Sequence, residues 1–221
     1  MSTEYKIAIS MNSDTIDKLK NGGFALYGFK AVKTANQGGA PLVWFQSTRF
    51  LVNTEVKWNE SYQAYISTDE IIANGKISAS ASAGIDLGQT MEVNQQGNVN
   101  VVLQGTPSTI SISNQGTVQW TCGISQQTDG MEKPMCAFPL YGKNLDVIAP
   151  IEKVLLMFAS NTINTGTVIY KAYSAGVMID LTANQSRSVS FDINNSWDWG
   201  DQSWGKSVQA QEALIPLLIT S

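Results

Sequence analysis

The sequence of 221 residues contains no histidine, little charge and only two cysteines. Without histidine, Ser-His-Asp and Cys-His catalytic arrangements and histidine-ligated metal sites are excluded. Glycine-rich phosphate-binding motifs of the GxGxxG or GxxxxGK[ST] type are also absent from the sequence. Paired carboxylates can hydrolyse a glycoside without histidine, and the carboxylates expected near strand ends are Glu55, Glu60, Asp69 and Glu70. Because nothing in the sequence pairs them, we predict a protein that is not an enzyme and that uses no cofactor or metal.

Charge is scarce and slightly negative. Only 14% of the residues are charged, against roughly 25% in an average globular protein, and the net charge is −4. Because lysine and arginine form no run, we expect neither nucleic acid nor an anionic membrane bound through a polybasic patch as a partner. Serine, threonine, asparagine, glutamine and glycine take the place of the charged residues, and they suit strands and turns better than long surface helices.

Long apolar runs are absent as well. No stretch approaches the ~18 residues typical of a membrane-spanning helix. The N-terminal sequence MSTEYKIAIS has neither the charged region nor the apolar region of a signal peptide. We therefore expect synthesis in the cytoplasm, with any export following a non-classical route or cell lysis.

The two cysteines, Cys122 and Cys136, flank a short loop. A disulfide between them would close that loop and add roughly 3 kcal/mol of stability. In a cytosolic protein, two buried free thiols are the more common arrangement, and we predict that arrangement here.

Similar segments recur in the two halves of the chain at a nearly constant spacing. Phe24-Ala25-Leu26-Tyr27-Gly28 resembles Phe138-Pro139-Leu140-Tyr141-Gly142, and weaker matches follow in the same order. This pattern predicts an internal duplication in which residues 24–74 superpose on residues 138–184. The alternative explanation is that β-proteins reuse similar strand and turn sequences.

Local patterns predict strands nearly everywhere. Tyr5, Ile7 and Ile9 alternate with polar or small residues, as in a half-buried strand. Residues 14–20 are the only segment typical of a short helix, and residues 213–219 resemble a strand at a sheet edge. We predict an all-β fold, specifically a single antiparallel β-sandwich domain over residues 1–221, with pseudo-repeat halves at about 1–118 and 119–221.

The longest alternating segments are residues 77–93 and 99–112. Long strands with one apolar and one Ser/Thr-rich face are typical of a sheet that buries one side only. Segments of about ten alternating residues also resemble, in pattern alone, the hairpins that β-pore-forming toxins insert into membranes. In that second interpretation, assembly would release residues 77–112 as a hairpin.

Three tryptophans, Trp197, Trp199 and Trp204, lie in a segment rich in turn-forming residues near the C-terminus. Exposed indole rings stack on sugars or anchor proteins at lipid headgroups, and Asn195 and Asp198 would give a sugar hydrogen-bond partners. These five residues are the predicted ligand- or membrane-binding site. The alternative is that the rings cover one open end of the sandwich.

Taken together, these patterns predict a non-enzymatic binding protein that contacts a lipid membrane or a carbohydrate through surface aromatics. A more specific expectation is a β-pore-forming toxin or a defence protein. One alternative is a soluble, lectin-like sugar-binding module. Another is a self-assembling structural protein, a homo-oligomer favoured by the low charge and by strands able to pair at their edges.

Overall fold

The computed structural model describes residues 3–128 and 130–221, which form mostly β-strands. Met1 and Ser2, which begin the predicted first half, and Asp129 lie outside the described residues. The strands of the first part are β1 (Glu4–Ser10), β2 (Ala25–Lys33), β3 (Ala40–Pro41), β4 (Phe45–Ser47), β5 (Asn53–Asn59), β6 (Tyr62–Ser67), β7 (Ala81–Ile85), β8 (Gln89–Val93), β9 (Val99–Val102) and β10 (Ile110–Asn114). Those of the second part are β11 (Trp120–Thr128), β12 (Met131–Pro134), β13 (Cys136–Leu140), β14 (Leu145–Ala159), β15 (Gly176–Asp180), β16 (Ser186–Asp192), β17 (Ser196–Asp198), β18 (Gly205–Val208) and β19 (Ile219–Thr220). The helices are α1 (Ser13–Asn21) and α2 (Ile215–Leu218). The predicted all-β, sandwich-like fold with a short helix near residues 14–20 is confirmed.

The described strands form three sheets. The smallest has the order β17-β16-β1-β5, and a six-stranded sheet has β3-β13-β11-β6-β7 with β12 beside β11. The largest follows the order β18-β15-β14-β10-β8-β9, and β2 joins it beside β14 together with β4 and β19. Most neighbours are antiparallel, as predicted. Three pairs are parallel, namely β1 with β16, β8 with β10, and β2 with β19.

The main hydrophobic core lies between these sheets and receives side chains from all three. In β1, Tyr5, Ile7 and Ile9 are buried while their neighbours are more exposed, which confirms the predicted period of two. β2 and residues 154–159 of β14 behave differently because they are buried on both faces. Leu26 faces the main core, whereas Tyr27 belongs to a second cluster on the opposite side. Their nearly continuous apolar sequence follows from this burial on both sides.

Helix α1 forms where the sequence predicts a short helix, although it spans Ser13–Asn21 rather than residues 14–20 and begins with an Asn12 cap that the sequence did not identify. The side chain of Asn12 accepts a hydrogen bond of 2.7 Å from the backbone N–H of Thr15, which satisfies one of the unpaired donors at the start of the helix. Ile16 and Leu19 are buried on one face. The helix ends at Gly22, whose N–H bonds to the carbonyl of Lys18.

The C-terminal strand predicted over residues 213–219 is wrong for most of its length. Residues Ile215–Leu218 form the single turn of α2, and only β19 pairs with β2. Pro216 stands in the first turn of α2, where its missing N–H removes no intrahelical hydrogen bond. Burial of Leu218 in the second cluster fixes this turn against the sheet. Among the described residues, neither helix is long and apolar enough to cross a membrane.

The segments that resemble each other occupy different elements. Residues 24–28 enter β2, which pairs with β14, whereas residues 138–142 leave β13, which pairs with β11. One of the weaker matches compares Ala64-Tyr65, inside β6, with Ala172-Tyr173, in the loop before β15. The matched segments thus have different local structure and different strand partners, and the superposition of residues 24–74 on 138–184 stays a prediction.

The long strands predicted over residues 77–93 and 99–112 are in fact four short ones, β7 to β10. Gly88, with a φ of +87°, lies in the turn that carries the chain from β7, paired with β6, to β8, paired with β10 and β9. The segment therefore crosses between two sheets. Buried core residues anchor it on the second sheet, namely Met91, Val93, Ile110 and Ile112.

Candidate functional site

The tryptophan loop, residues 194–205, does not present three exposed indole rings. Trp197 lies in β17 and is only 7% exposed. Its ring stacks on Phe158, with 5.5 Å between ring centroids and 13° between planes, and it also contacts Phe191 across the strand pair. Trp197 is therefore part of the core, and its predicted place on a contact surface is wrong. Burial of a large ring against two phenylalanines accounts for this placement.

Trp199 and Trp204 are partly buried and pack against the same core. Trp199 lies against the backbone of Gly205. Arg187 covers the ring of Trp204, with 5.0 Å between the guanidinium carbon and the ring centroid. This cation–π contact occupies a face that a ligand would need.

Asn195 and Asp198 are exposed, but both serve the turns in which they lie. Asn195 donates from its backbone and its side chain to Asp192, at 3.1 and 3.2 Å. Asp198 accepts a hydrogen bond of 2.8 Å from the N–H of Gly200. Local bonds of this kind are the usual reason for Asn and Asp in tight turns.

A different group of residues, which we call the first cavity, surrounds a volume of about 570 Å³ at one end of the six-stranded sheet. Its walls come from the loop after β6, the start of β11, the end of β13 and the loop before β3. The side chains that give it chemical character are Ser67, Thr68, Asp69, Glu70, Gln119, Trp120 and Tyr141. The volume is in the range of small-molecule sites.

Hydrogen bonds hold the acidic wall of the first cavity in place. The N–H of Asp69 donates to the hydroxyl of Ser67 at 3.0 Å, and the Asp69 carbonyl accepts from the hydroxyl of Thr121 at 2.6 Å. One carboxylate oxygen of Asp69 accepts from the N–H of Ser78 at 2.7 Å. Ser67 and Asp69 thus bend the chain through side-chain bonds to backbone, and Thr121 ties the bend to β11.

The opposite wall is aromatic. Tyr141 follows β13 and is 54% exposed, although its backbone carbonyl is fixed by the side-chain amide of Asn114 at 3.1 Å. Trp120 is half-buried, and its indole nitrogen is enclosed without a hydrogen-bond partner in the described residues. The exposed ring of Tyr141 is thus available for stacking from an anchored backbone.

Two glycines allow this wall to form. A Cβ at Gly39 would lie 2.1 Å from the ring of Phe138, so the loop before β3 can approach β13 only with glycine there. Gly97, with a φ of +81°, lets the turn after β8 lie against Trp120, because a Cβ there would come within 2.9 Å of the ring. Both positions require glycine for close approach.

The charge in the first cavity is negative only. Asp69 and Glu70 are its charged members, and none of the described residues that line it is lysine or arginine. Glu70 and Gln119 are exposed, so their oxygen and nitrogen atoms can reach a ligand. The cavity therefore disfavours a phosphate or another anion, and its oxygen and nitrogen atoms can exchange hydrogen bonds with hydroxyl groups.

A buried acid lies directly behind the first cavity. Cys122, next to the cavity residue Thr121, donates its thiol hydrogen to Asp146 with 3.0 Å between sulfur and oxygen. Burial raises the pKa of the Asp146 carboxyl, and burial together with Asp146 raises the pKa of the Cys122 thiol. The side chains of Cys122 and Asn36 offset part of the rise in the Asp146 pKa. Cys122 and Cys136 are both buried free thiols, as predicted.

Sequence reasoning found only part of the first cavity. It singled out Asp69 and Glu70 as carboxylates near strand ends, but it did not single out Gln119, Trp120 or Tyr141 as site residues. These residues lie far apart in the chain, and only strand pairing brings them together. Residues 138–142 were identified in the sequence only as part of a repeat. Within them, Tyr141 is the large side chain that is exposed in the structure.

The described residues contain no group of three or more cysteine, aspartate or glutamate side chains placed to share a metal ion. Comparison with known protein families, with curated proteins and with solved structures found no match to this chain.

Proposed function

We propose that this protein binds carbohydrate in the first cavity and acts as a soluble, lectin-like module rather than as an enzyme. The observation that carries the proposal is a cavity lined by the exposed Tyr141 and by hydrogen-bonding side chains, with no basic residue among its described lining. Sugars combine apolar C–H faces with hydroxyl groups, so an aromatic ring opposite carboxylate and amide groups matches both.

The distribution of charge supports a neutral ligand. Nucleic acids, nucleotides and anionic lipid headgroups are bound through lysine, arginine or helix N-termini. The first cavity offers Asp69 and Glu70 instead. Carboxylate oxygens accept hydrogen bonds from sugar hydroxyls, and the amide of Gln119 can both donate and accept.

The arrangement of the carboxylates supports binding over hydrolysis. Glycosidases place two carboxyl groups on opposite sides of the scissile bond, roughly 5–9.5 Å apart. Asp69 and Glu70 are adjacent in the chain and belong to one wall, and one oxygen of Asp69 already bonds to the backbone of Ser78. The described lining supplies no carboxylate from the aromatic wall.

A glycan array covering animal, plant, fungal and bacterial sugars tests the proposal directly. Hits are then titrated in solution while the tryptophan fluorescence is recorded, because Trp120 lines the cavity. We expect saturable binding of neutral glycans and a changed emission on saturation. A blank array at high protein concentration would contradict the proposal.

A pair of variants locates the binding. Tyr141→Ala removes the exposed ring, and Leu145→Ala removes an apolar side chain of similar exposure, 50%, that does not line the cavity. We expect weaker binding with the first variant and unchanged binding with the second. Equal affinity of both variants and the original protein would place the ligand elsewhere.

A further inference from the structure

A second cavity, of about 230 Å³, is lined in part by residues 73–74, which follow the loop that forms the acidic wall of the first. Its lining includes Asn74, Tyr170, Tyr173 and Gln211. The hydroxyl of Tyr173 donates to the side-chain oxygen of Asn74 at 2.8 Å. The second cavity thus also combines tyrosine rings with amide groups, but its charged lining residue is Lys171, whereas the first cavity has Asp69 and Glu70.

Two lining residues of the second cavity have a left-handed backbone conformation. Asn74 has a φ of 62° and Gln211 a φ of 69°, although neither is glycine. The N–H of Asn74 bonds to the carbonyl of Val168 at 2.9 Å, and that of Gln211 bonds to Ala172 at 2.7 Å, so the surrounding structure holds both residues in place.

One loop separates the two cavities. Residues 67–71 line the first cavity and residues 73–74 line the second, so their walls are only a few residues apart along the chain. Four extended residues span at most about 14 Å. Ile71 from the first cavity and Tyr170 from the second pack against the same small buried cluster, and Ile72 between them is 56% exposed.

We propose that the two cavities are subsites of one extended site, which binds an oligosaccharide chain lying across the loop at Ile72. This inference rests on the proposed function and specifies its ligand as a chain of several sugar units. Tyr141 and Trp120 would contact one end of the chain, and Tyr173 would contact the other. Occupying two linked subsites raises the affinity for a long ligand above that for either of its parts.

Oligosaccharide ladders test this directly. Cello-, xylo- and chito-oligosaccharides from disaccharide to hexasaccharide are titrated against the full chain by calorimetry. We expect the affinity to rise by roughly tenfold or more at the length that reaches the second cavity. The Tyr173→Ala variant should lose this gain while binding the shortest ligands as the original protein does, whereas Tyr141→Ala should weaken binding at every length.

Control variants keep the outcome unambiguous. Tyr173→Phe keeps the ring and removes the hydroxyl bonded to Asn74, so it should retain most of the gain. Lys171→Ala changes an exposed side chain of the second cavity and serves as a second variant if Tyr173→Ala lowers the melting temperature. A flat ladder, or a gain that survives both Tyr173→Ala and Lys171→Ala, would overturn the extended site while leaving the first cavity as a sugar site. Absence of binding to every sugar would overturn both proposals.

Discussion

The tryptophan loop and the first cavity both combine aromatic rings with polar side chains, yet they use their rings in opposite ways. In the tryptophan loop, Trp197 stacks on Phe158 within the core and Arg187 covers Trp204. In the first cavity, Tyr141 is 54% exposed although its backbone is anchored. The polar residues differ similarly, because Asp198 closes its own turn whereas Glu70 is exposed at the cavity.

This contrast shows that aromatic residues close together in sequence need not form a surface. β17 pairs with β16 and turns the ring of Trp197 inward, towards Phe191 and Phe158. The cavity residues are distant in sequence and come together through the pairing of β11 with β6 and β13. If this contrast holds, the tryptophan loop serves stability and the first cavity serves binding.

The largest effect is expected from Trp197→Ala. Removing this buried ring leaves a cavity beside Phe158 and Phe191, and we expect the free energy of unfolding to fall by roughly 3–5 kcal/mol. Urea unfolding followed by circular dichroism measures the change. At a temperature where the variant is folded, its affinity for glycan should equal that of the original protein. Weaker binding by the folded variant would contradict the division of roles.

A smaller effect, dependent on pH, is expected behind the first cavity. Burial raises the pKa of Asp146, so the folded protein holds this proton more tightly than the unfolded chain. Stability from this group is fully present below the pKa of the unfolded chain and is lost as pH rises through the raised pKa. Asp146→Asn should remove that loss and be more stable than the original protein at pH 8 by roughly 1 kcal/mol.

Urea titrations at about pH 4 and about pH 8 check this prediction, because linkage affects only the range in which the carboxyl titrates. The advantage of Asp146→Asn should appear at the higher pH and shrink at the lower one. Asn accepts the thiol hydrogen bond of Cys122 as Asp does, so the variant is closely matched in shape. An equal change at both pH values would show that Asp146 does not titrate in this range.

Tyr141→Ala should separate binding from stability. The side chain is largely exposed, so we expect the free energy of unfolding to change by less than about 0.5 kcal/mol. The affinity for glycan should fall roughly three- to tenfold, corresponding to the 0.5–1.5 kcal/mol typical of an aromatic contact. Calorimetric titration measures the affinity, and Tyr141→Phe should retain most of it. If Tyr141→Ala lost as much unfolding free energy as Trp197→Ala, the separation of binding from stability would be contradicted.

The smallest effect is expected from Asp198→Asn. The asparagine oxygen can still accept the hydrogen bond from Gly200, and the residue is exposed in a turn. We expect stability to change by less than about 0.5 kcal/mol and glycan affinity to stay the same. A clear loss of binding in the same glycan titration would return the contact surface to the tryptophan loop.

The sequence predicted local structure better than it predicted the site. The alternation of Tyr5, Ile7 and Ile9 and the apolar face of α1 were confirmed, because each depends on neighbours in the chain. Residues 77–93 were misjudged in length because alternation alone does not reveal that Gly88 carries the chain to another sheet. The helical turn at Ile215–Leu218 was missed because packing of Leu218, rather than propensity, decides it.

The candidate site was harder to predict for the same physical reason. Asp69 and Glu70 were recognised as carboxylates, but Tyr141, which lines the same cavity, follows β13 about 70 residues later in the chain. The spacing of residues in the sequence does not indicate that the loop containing Gly39 packs against Phe138 and completes the aromatic wall of the first cavity. Trp197, the most conspicuous candidate, was misplaced because its burial depends on Phe158, which is distant in the chain.

The parallel pairing of β1 with β16 has a consequence for synthesis of the protein. Lys6 aligns with Ser186, about 180 residues later in the chain. During translation, β1 can pair with β5 as soon as both strands have emerged. Its other edge stays without a partner strand until β16 has been synthesised. Open edges recruit strands from other chains. Holding the nascent chain with a chaperone, or slowing initiation so that fewer chains emerge together, should therefore raise the soluble yield more than stabilising the finished fold.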